Sequence, residues 1–292
     1  MMTYDYCILG AGISGAIIAS KIKSLSKSFC LIDKGRSSGG RLSCKRMGPF
    51  SFNHGLQFFD SNKENRPWFE SLIDDKFLAE TPPHQILVPA NQIVKKILMD
   101  TPVLTNEEVV SVAHQDSLFL VKSKSGTEWA AKKVICTFPA PQALKIFGTQ
   151  HLSLHQSALL QTVLYSKKII CFVETKIVKD FSPDYKIEQV ADFSMITFSD
   201  QVSEKYFEHS DLETITNLKK DYANLFSFTD CQHMNIKKWR YAVCNRPISQ
   251  NYLSNDVNTL FLVGDYLGPK ETTSLERTIR SSEAIFSLLE HH

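Results

Sequence analysis

The chain carries almost no excess of charge of either sign: 33 lysines and arginines stand against 31 aspartates and glutamates, for a formal net charge of +2 over 292 residues. Nucleic acids and anionic membranes both select a basic surface, so this balance gives no electrostatic reason to expect either as a partner. Long apolar runs are also missing, and no stretch reaches the ~20 residues that a membrane-spanning helix needs. The apolar segment Cys7–Ser20 has the look of a signal-peptide core. It lacks a basic leader, however, follows Asp5 and is broken by glycines, which reads better as a buried strand and turn. With 12 glycines and 11 prolines, collagen-like and low-complexity classes are excluded.

Catalytic and metal signatures are equally sparse. There is no HExxH, no GxSxG, no Walker loop and no evident acid–base dyad. The seven cysteines (Cys7, Cys30, Cys44, Cys136, Cys171, Cys231 and Cys244) are odd in number and scattered, and none forms a C-x-x-C pair. A disulfide framework and a zinc site are therefore not expected, and the reading is a reduced, cytoplasmic protein with no metal. Several of these cysteines sit in apolar runs, where a free thiol behaves as a small buried hydrophobe.

What remains is a chain that is 43% hydrophobic and 22% charged, long enough for two domains with real cores. Tyr4–Leu9 reads as a buried strand, Gly10 to about Leu25 as a glycine-opened helix, and Phe29–Asp33 as a second strand, together a βαβ-type start. Helical spacing returns over Asn91–Met99. Short β-like runs follow at Pro102–Leu104, Val109–Val112, Leu118–Lys122 and Val134–Thr137. Beyond Pro139 and Pro141, strands are expected at Val163–Tyr165, Ile169–Val173, Trp239–Ala242 and Leu260–Val263. Helices are expected over Asp211–Phe228 and from Ser274 to about Leu288. The terminal Leu289-Glu290-His291-His292 resembles the start of an expression tag, and 289–292 is set aside as a remnant.

The strongest motif is Gly10-Ala11-Gly12-Ile13-Ser14-Gly15. A lone GxGxxG is weak evidence, since glycines punctuate ordinary turns, but here a strand precedes it and a helix-compatible segment follows. Asp33 ends the next strand 18 residues after Gly15, close to the ~20 expected for a ribose-binding carboxylate. Gly10 permits the tight turn, Gly12 lets the backbone approach a pyrophosphate, and Gly15 lets helix and strand pack closely. The unpaired N–H groups and dipole of the helix N-terminus favour phosphate. The motif binds a dinucleotide on this reading but does not by itself choose between NAD and FAD.

The choice follows from Asp33-Lys34-Gly35-Arg36-Ser37-Ser38-Gly39-Gly40-Arg41, which resembles the second flavin motif of the amine-oxidase-like FAD superfamily. Gly39-Gly40 would let the backbone run close under the cofactor, and Arg41 would neutralise pyrophosphate or bond near the isoalloxazine. Four further segments narrow the likeness. Phe52–Phe59, containing His54, Gly55, Leu56 and Gln57, Cys136–Gln142, Trp239-Arg240-Tyr241-Ala242 and Leu262-Val263-Gly264-Asp265 occur in the order found in renalase-like proteins, and they span nearly the whole chain. The sequence thus resembles a bacterial renalase-like FAD-dependent oxidoreductase, a small relative of the flavin amine oxidases.

The resemblance implies FAD contacts at Gly10, Gly12, Ile13, Ser14, Gly15, Asp33, Lys34, Gly40, Arg41, Gly55, Leu56, Gln57, Val110, Gly264, Asp265, Thr273 and Ser274. Thr273-Ser274-Leu275-Glu276 reads as a capping box, and in the family this helix start points at the flavin pyrimidine edge. Departures occur there: Glu276-Arg277-Thr278 and Ser281-Ser282 replace the family's Glu-Gly-Ala and Ser-Gly, and Asn53 stands where many relatives carry Asp. No cysteine of the covalent-flavin kind lies near Asp265, and Cys244 is distant in sequence, so non-covalent FAD is expected.

The implied chemistry is hydride transfer from a small-molecule substrate to flavin N5, with O2 reoxidising the ring to give hydrogen peroxide. The implied substrates are isomeric dihydronicotinamides, NAD(P)H isomers returned to ordinary NAD(P). Amine oxidation is the alternative, and a catalytically inert FAD-binding protein or a plain NAD-dependent dehydrogenase are others. His54, Gln57, Trp239 and Tyr241 are the catalytic-side candidates, with Phe58, Tyr165 and Phe172 behind them. Each taken singly also reads as core, and Trp239 and Tyr241 share one face of a strand. The expected fold class is α/β: a three-layer Rossmann-type FAD-binding domain, 1–60, 89–138 and 243–288, with an interrupting α+β substrate domain containing an antiparallel sheet, 61–88 and 139–242.

Overall fold

The structure, a computed structural model of the chain, describes residues 2–59, 66–81, 83–175, 177, 182–226 and 234–290. It is a mixed α/β fold whose contacts divide into two units: 1–44, 55–164 and 244–292 form the first, 45–54 and 165–243 the second.

The first unit is built on a seven-stranded sheet. Its centre is parallel: Leu260–Leu262, Glu128–Cys136, Thr3–Leu9 and Phe29–Ile32 lie side by side in that order. Tyr6–Leu9 and Val134–Cys136 are almost fully buried, as strands covered on both faces must be. The register aligns four residues in one row across the carboxyl ends: Ile32, Leu9, Cys136 and Leu262. An antiparallel hairpin, Val109–Gln115 with Leu118–Ser123, joins through Glu128–Cys136. The helices Ile13–Ser24, Asn91–Leu98 and Ser274–Glu283 supply Ile17, Ile18, Ile93, Val94, Leu275 and Ile279 to one core with Tyr6, Ile8 and Leu31.

The second unit holds a four-stranded antiparallel sheet. Tyr185–Val190, Phe193–Phe198, Leu164–Val173 and Asn235–Arg246 lie in that order. Alternation along each strand separates two faces. Ile169, Cys171, Val173, Ile196 and Phe198 meet the helices Asp200–Tyr206 and Asp211–Asp221. Ile170, Phe172, Met195 and Trp239 form the other face, closed by Met47 and Phe52 of the hairpin Cys44–Met47 with Phe50–Asn53.

These contacts move three of the expected domain boundaries. Residues 45–54 join the second unit because Met47 and Phe52 pack under its sheet. Around 66–88 the chain joins the first, since Leu72, Leu78 and Ile86 enter its core. Residues 139–164 do likewise: helix Ala140–His151 packs on the Val109–Gln115 hairpin, and the His151 ring lies 2.9 Å from Val112 O through Nε2.

Element ends also shift. The expected strands at Val163–Tyr165 and Ile169–Val173 are one ten-residue strand, Leu164–Val173, whose polar centre, Ser166–Lys168, disguised its continuity. Pro102–Leu104 contributes only a single bridge, Leu104 to Ile32. The expected helix over Asp211–Phe228 ends at Asp221, where Tyr222 leaves helical geometry at φ −119° and ψ 45°, and a short turn follows at Ala223–Phe226. Residues 227 and 228 lie outside the described residues.

Residues 289 and 290, set aside above, are nonetheless integrated into the fold. Leu289 is fully buried in the main core, the Tyr6 hydroxyl donates to its carbonyl at 3.2 Å, and Glu290 pairs with Lys21. The physical reason is the short helix Phe286–Glu290, which turns Leu289 inward. His291 and His292 lie outside the described residues.

Candidate dinucleotide-binding site

Each of the four aligned strand ends releases the chain into a loop that carries a motif residue. Gly10 follows Leu9, with its N–H donated to Ile32 O at 2.8 Å. Its φ of +103° is one that L side chains rarely adopt. Thr137 follows Cys136, and its hydroxyl reaches Leu9 O at 2.9 Å and Gly10 O at 3.2 Å, bracing the turn. Thr137 was not among the expected site residues, although its place one residue past a strand end in line with the glycine loop marks it.

Two of the fingerprint glycines have opposite reasons to lack a side chain. A Cβ on Gly15 would lie 1.9 Å from Gly10 O, so the protein itself forbids it. A Cβ on Gly12 would meet nothing of the protein nearer than Gly40 Cα at 3.8 Å, and Gly12 has an ordinary extended backbone at φ −79°. Gly12 is the N-cap of helix Ile13–Ser24 and offers no capping side chain, so the first helical N–H groups, from Ile13 and Ser14 onward, look out past a bare backbone. Gly39 N–H donates to Ala11 O at 2.9 Å, which lays the Gly39-Gly40 segment back to back against Gly12. Two glycine segments widely separated in sequence thereby make one cradle at a helix N-terminus.

Asp33 closes one end of this cradle. Its Oδ2 accepts from Ala11 N at 2.7 Å and its Oδ1 from Gly35 N at 2.6 Å. Each carboxylate oxygen keeps a further lone pair for a hydroxyl group. Lys34 is exposed beside it. Val110 lies at a register irregularity in the hairpin, 46% exposed, three residues beyond Glu107, whose N–H donates to Asp33 O at 3.0 Å.

Arg41 and Asp265 mark the other end. Arg41 Nη1 donates to Asp265 Oδ2 at 2.6 Å, and the Asp265 side chain is 2% exposed. Leu56 N donates to Arg41 O at 3.0 Å and Gln57 O accepts from Ile86 N at 2.9 Å, placing Gly55, Leu56 and Gln57 in the first unit beside this segment. Gly264 N–H is taken by Ser281 Oγ at 3.0 Å.

The capping box expected at Thr273 is half formed. Thr273 Oγ1 accepts from Glu276 N at 3.2 Å, but the Glu276 carboxylate pairs with Arg280 at 2.7 Å instead of returning to the N-cap. Arg277 is 3% exposed. Its Nε donates to Asp265 O at 2.6 Å, its Nη2 to Cys244 O at 3.1 Å and Ser274 Oγ at 3.2 Å, and its Nη1 to Thr272 O.

The remaining candidates belong to the second unit. His54 is 8% exposed, with Trp239 Nε1 donating to its carbonyl at 3.2 Å. Its ring lies 5.6 Å from Trp239 at 33° and 5.6 Å edge-on to Phe172. Tyr241 meets Tyr165 edge to face at 5.4 Å. Trp239 therefore lies on the sheet face away from the helices, with Phe172 and His54, and strand alternation puts Tyr241 there too. Lys237 sits over the Trp239 ring at 4.6 Å. Gln57 belongs to the first unit.

The cysteines are free thiols among the described residues; Cys231 lies outside them. Burial pushes Cys136 and Cys244 up to about 12, Cys244 further by the charge of Asp265. Among the described residues no cluster of three or more His, Cys, Asp or Glu side chains is placed to hold a metal, and no helix is long and apolar enough to cross a membrane.

Comparison with known proteins agrees with this architecture. Residues 8–75 match the family described as an NAD(P)-binding Rossmann-like domain. Among solved structures, a double mutant of putrescine oxidase aligns with a TM-score of 0.66 at 12% identity, covering 100% of both chains. Cyclohexylamine oxidase from Brevibacterium oxydans IH-35A aligns with a TM-score of 0.66 at 11% identity over 98% of each chain. A protein named as a protoporphyrinogen oxidase, from Exiguobacterium sp. 255-15, aligns with a TM-score of 0.61 at 10% identity over 99% of each. At such identities the likeness is one of fold.

Proposed function

We propose that this chain is an FAD-dependent oxidoreductase whose first unit holds the dinucleotide non-covalently and whose second unit binds a small-molecule substrate. The observation that carries the reading is the Gly12 wall of the Gly12–Gly40 cradle: Gly40 is held to glycine by its own φ of +56°, but the bare backbone of Gly12 at a helix N-terminus is demanded by nothing in the protein and suits a close pyrophosphate. The residues present fit FAD. Asp33 would take the adenosine ribose through its remaining lone pairs, and the N–H groups from Ile13 and Ser14 onward would take the phosphates. Arg41 would offset phosphate charge while Asp265 receives the hydroxyls of the other half. Cys244 is buried with a thiol pushed up to about 12, which makes it a poor nucleophile and favours non-covalent binding.

When bound, FAD supplies hydride-accepting chemistry at a substrate C–H and, with dioxygen as the final acceptor, hydrogen peroxide as the by-product. The protein's part is to hold, orient and screen. His54, Trp239 and Phe172 make a largely water-excluded aromatic cluster, with the His54 ring tilted on Trp239 and edge-on to Phe172 and with Lys237 over the Trp239 ring as its cation. A planar substrate that carries phosphate suits that cluster better than an ammonium ion, so the favoured substrates are isomeric dihydronicotinamides. Amine oxidation is the second reading, supported by the likeness in fold to putrescine and cyclohexylamine oxidases and by the Tyr165–Tyr241 pair, whose faces suit a cation.

Anaerobic mixing of the FAD-loaded protein with each class tests both. Bleaching of the flavin band by a dihydronicotinamide isomer, and not by putrescine or cyclohexylamine, is the expected result. Bleaching by amines alone would select the second reading. Bleaching by neither would leave an inert flavin-binding protein.

A further inference from the structure

The helix Ser274–Glu283 holds a buried cation with no carboxylate among its hydrogen-bond acceptors. Arg277 is 3% exposed, and all four of its acceptors are neutral: the carbonyls of Asp265, Cys244 and Thr272 and the hydroxyl of Ser274. The nearby acids are committed elsewhere. Asp265 pairs through its carboxylate with Arg41, and Glu276 pairs with Arg280. The Cys244 thiol is held neutral, and Glu271 is exposed. Arg277 is thus a buried guanidinium whose four acceptors are all neutral, beside an Asp265 carboxylate already paired with Arg41. Burying an ion on neutral partners costs several kcal/mol, and an apolar side chain of like volume would avoid that cost. The charge therefore calls for a partner that is itself negative.

The strand ends show where such a partner would come. Ile32, Leu9, Cys136 and Leu262 form one row, so Asp33 and the Gly264-Asp265 turn are three interstrand steps apart, about 14 Å. A dinucleotide with its ribose at Asp33 and its pyrophosphate over Gly12 has its other half directed along this row, toward Asp265 and Arg277. In FAD that half carries the isoalloxazine, which gains negative charge when it accepts a hydride.

We propose that Arg277 is a positioning residue for electron acceptance: its fixed charge beside Asp265 stabilises the negative charge of the reduced ring and so raises the electron affinity of bound FAD. The inference rests on the FAD reading above. It differs from a merely structural role, in which the guanidinium only ties Cys244, Asp265 and Thr272 together.

The test uses the FAD-loaded full chain with Arg277→Lys, Arg277→Gln and Arg277→Met. Sulfite is the probe, because it bonds through its sulfur lone pair to flavin N5 and leaves the displaced electron pair on the ring as negative charge, with no proton or oxidant required. The expected result is sulfite binding at least tenfold weaker in Arg277→Gln and Arg277→Met, and within about threefold of the parent in Arg277→Lys. The two-electron midpoint potential should fall by ~30 mV for each tenfold. Should Arg277→Met fail to fold, Arg277→Gln decides, since its amide keeps a donor for Asp265 O without the charge. Neutral variants that hold FAD with parental sulfite affinity and potential would overturn the inference. So would neutral variants that fold but no longer retain FAD, since that outcome marks a structural tie. A parent protein that takes up no FAD overturns the functional reading instead.

Discussion

The contrast between Gly12 and Gly15 gives the sharpest test of the cradle. In Gly12→Ala the new methyl has its nearest protein atom at 3.8 Å and a compatible φ of −79°. Restricting the unfolded chain stabilises by ~0.4–1 kcal/mol, and the poorer N-cap offsets a similar amount, so the FAD-free variant should melt within a few degrees of the parent. In Gly15→Ala the methyl lies 1.9 Å from the Gly10 carbonyl, which is backbone and cannot swing aside. Overpacking of that kind costs about 1–3 kcal/mol or more, or roughly 2–12 °C at ~2–4 °C per kcal/mol. FAD at 100 times its Kd should stabilise the parent by ~2.7 kcal/mol, about 5–10 °C. Thermal melts with and without added FAD read both terms. Gly12→Ala should keep the FAD-free melting point and lose the FAD shift, whereas Gly15→Ala should lose both. A Gly12→Ala variant that retains the full FAD shift would refute the assignment of Gly12 to the pyrophosphate.

Other outcomes follow from individual contacts. Leu289→Ala should cost about 2–5 kcal/mol in urea unfolding, as for any large core truncation, and no loss would contradict its place in the core. Arg41→Gln leaves the 2%-exposed Asp265 carboxylate without its ion pair and should cost ~1–3 kcal/mol, with Arg41→Gln/Asp265→Asn recovering part of it in a double-mutant cycle. Cys136 and Cys244, raised from 9.0 to about 12, make the folded chain bind more protons than the unfolded chain between those values. Their stabilisation is complete below pH 9 and is lost as pH rises toward 12, so the urea midpoint should fall between pH 8 and pH 10.5. Cys136→Ala/Cys244→Ala should flatten that fall, and an unchanged slope would contradict the assignment.

Much of the first unit was legible because its signals are local. An apolar strand, three glycines and a following carboxylate occupy one βαβ unit, and the short-range period fixes their elements. The cradle was not legible, because its second wall is Gly40, whose contact with Gly12 depends on a loop conformation rather than on spacing. Long-range packing also decided the domain boundaries: the strand pair around Met47 and Phe52 follows a cofactor-type motif in sequence yet buries its apolar side against Phe172 and Met195. The place of Leu289 in the core was not legible either, because it depends on the short helix that carries it and on partners far away in sequence. The capping-box pattern at Thr273 was readable, but Glu276 had a stronger partner one turn on in Arg280, a competition that pattern alone does not resolve. Trp239 and Tyr241 share a face, as alternation requires, and which face became visible only with Phe172 and His54 placed beside Trp239.

The central claim is that this chain binds one FAD non-covalently through the Gly12–Gly40 cradle. Its most direct measurement is the visible spectrum of the purified chain, with and without added FAD, before and after denaturation and filtration. The account predicts a flavin band, one FAD per chain at saturation, and all of it in the filtrate as free FAD. A colourless chain that takes up no added FAD would contradict it.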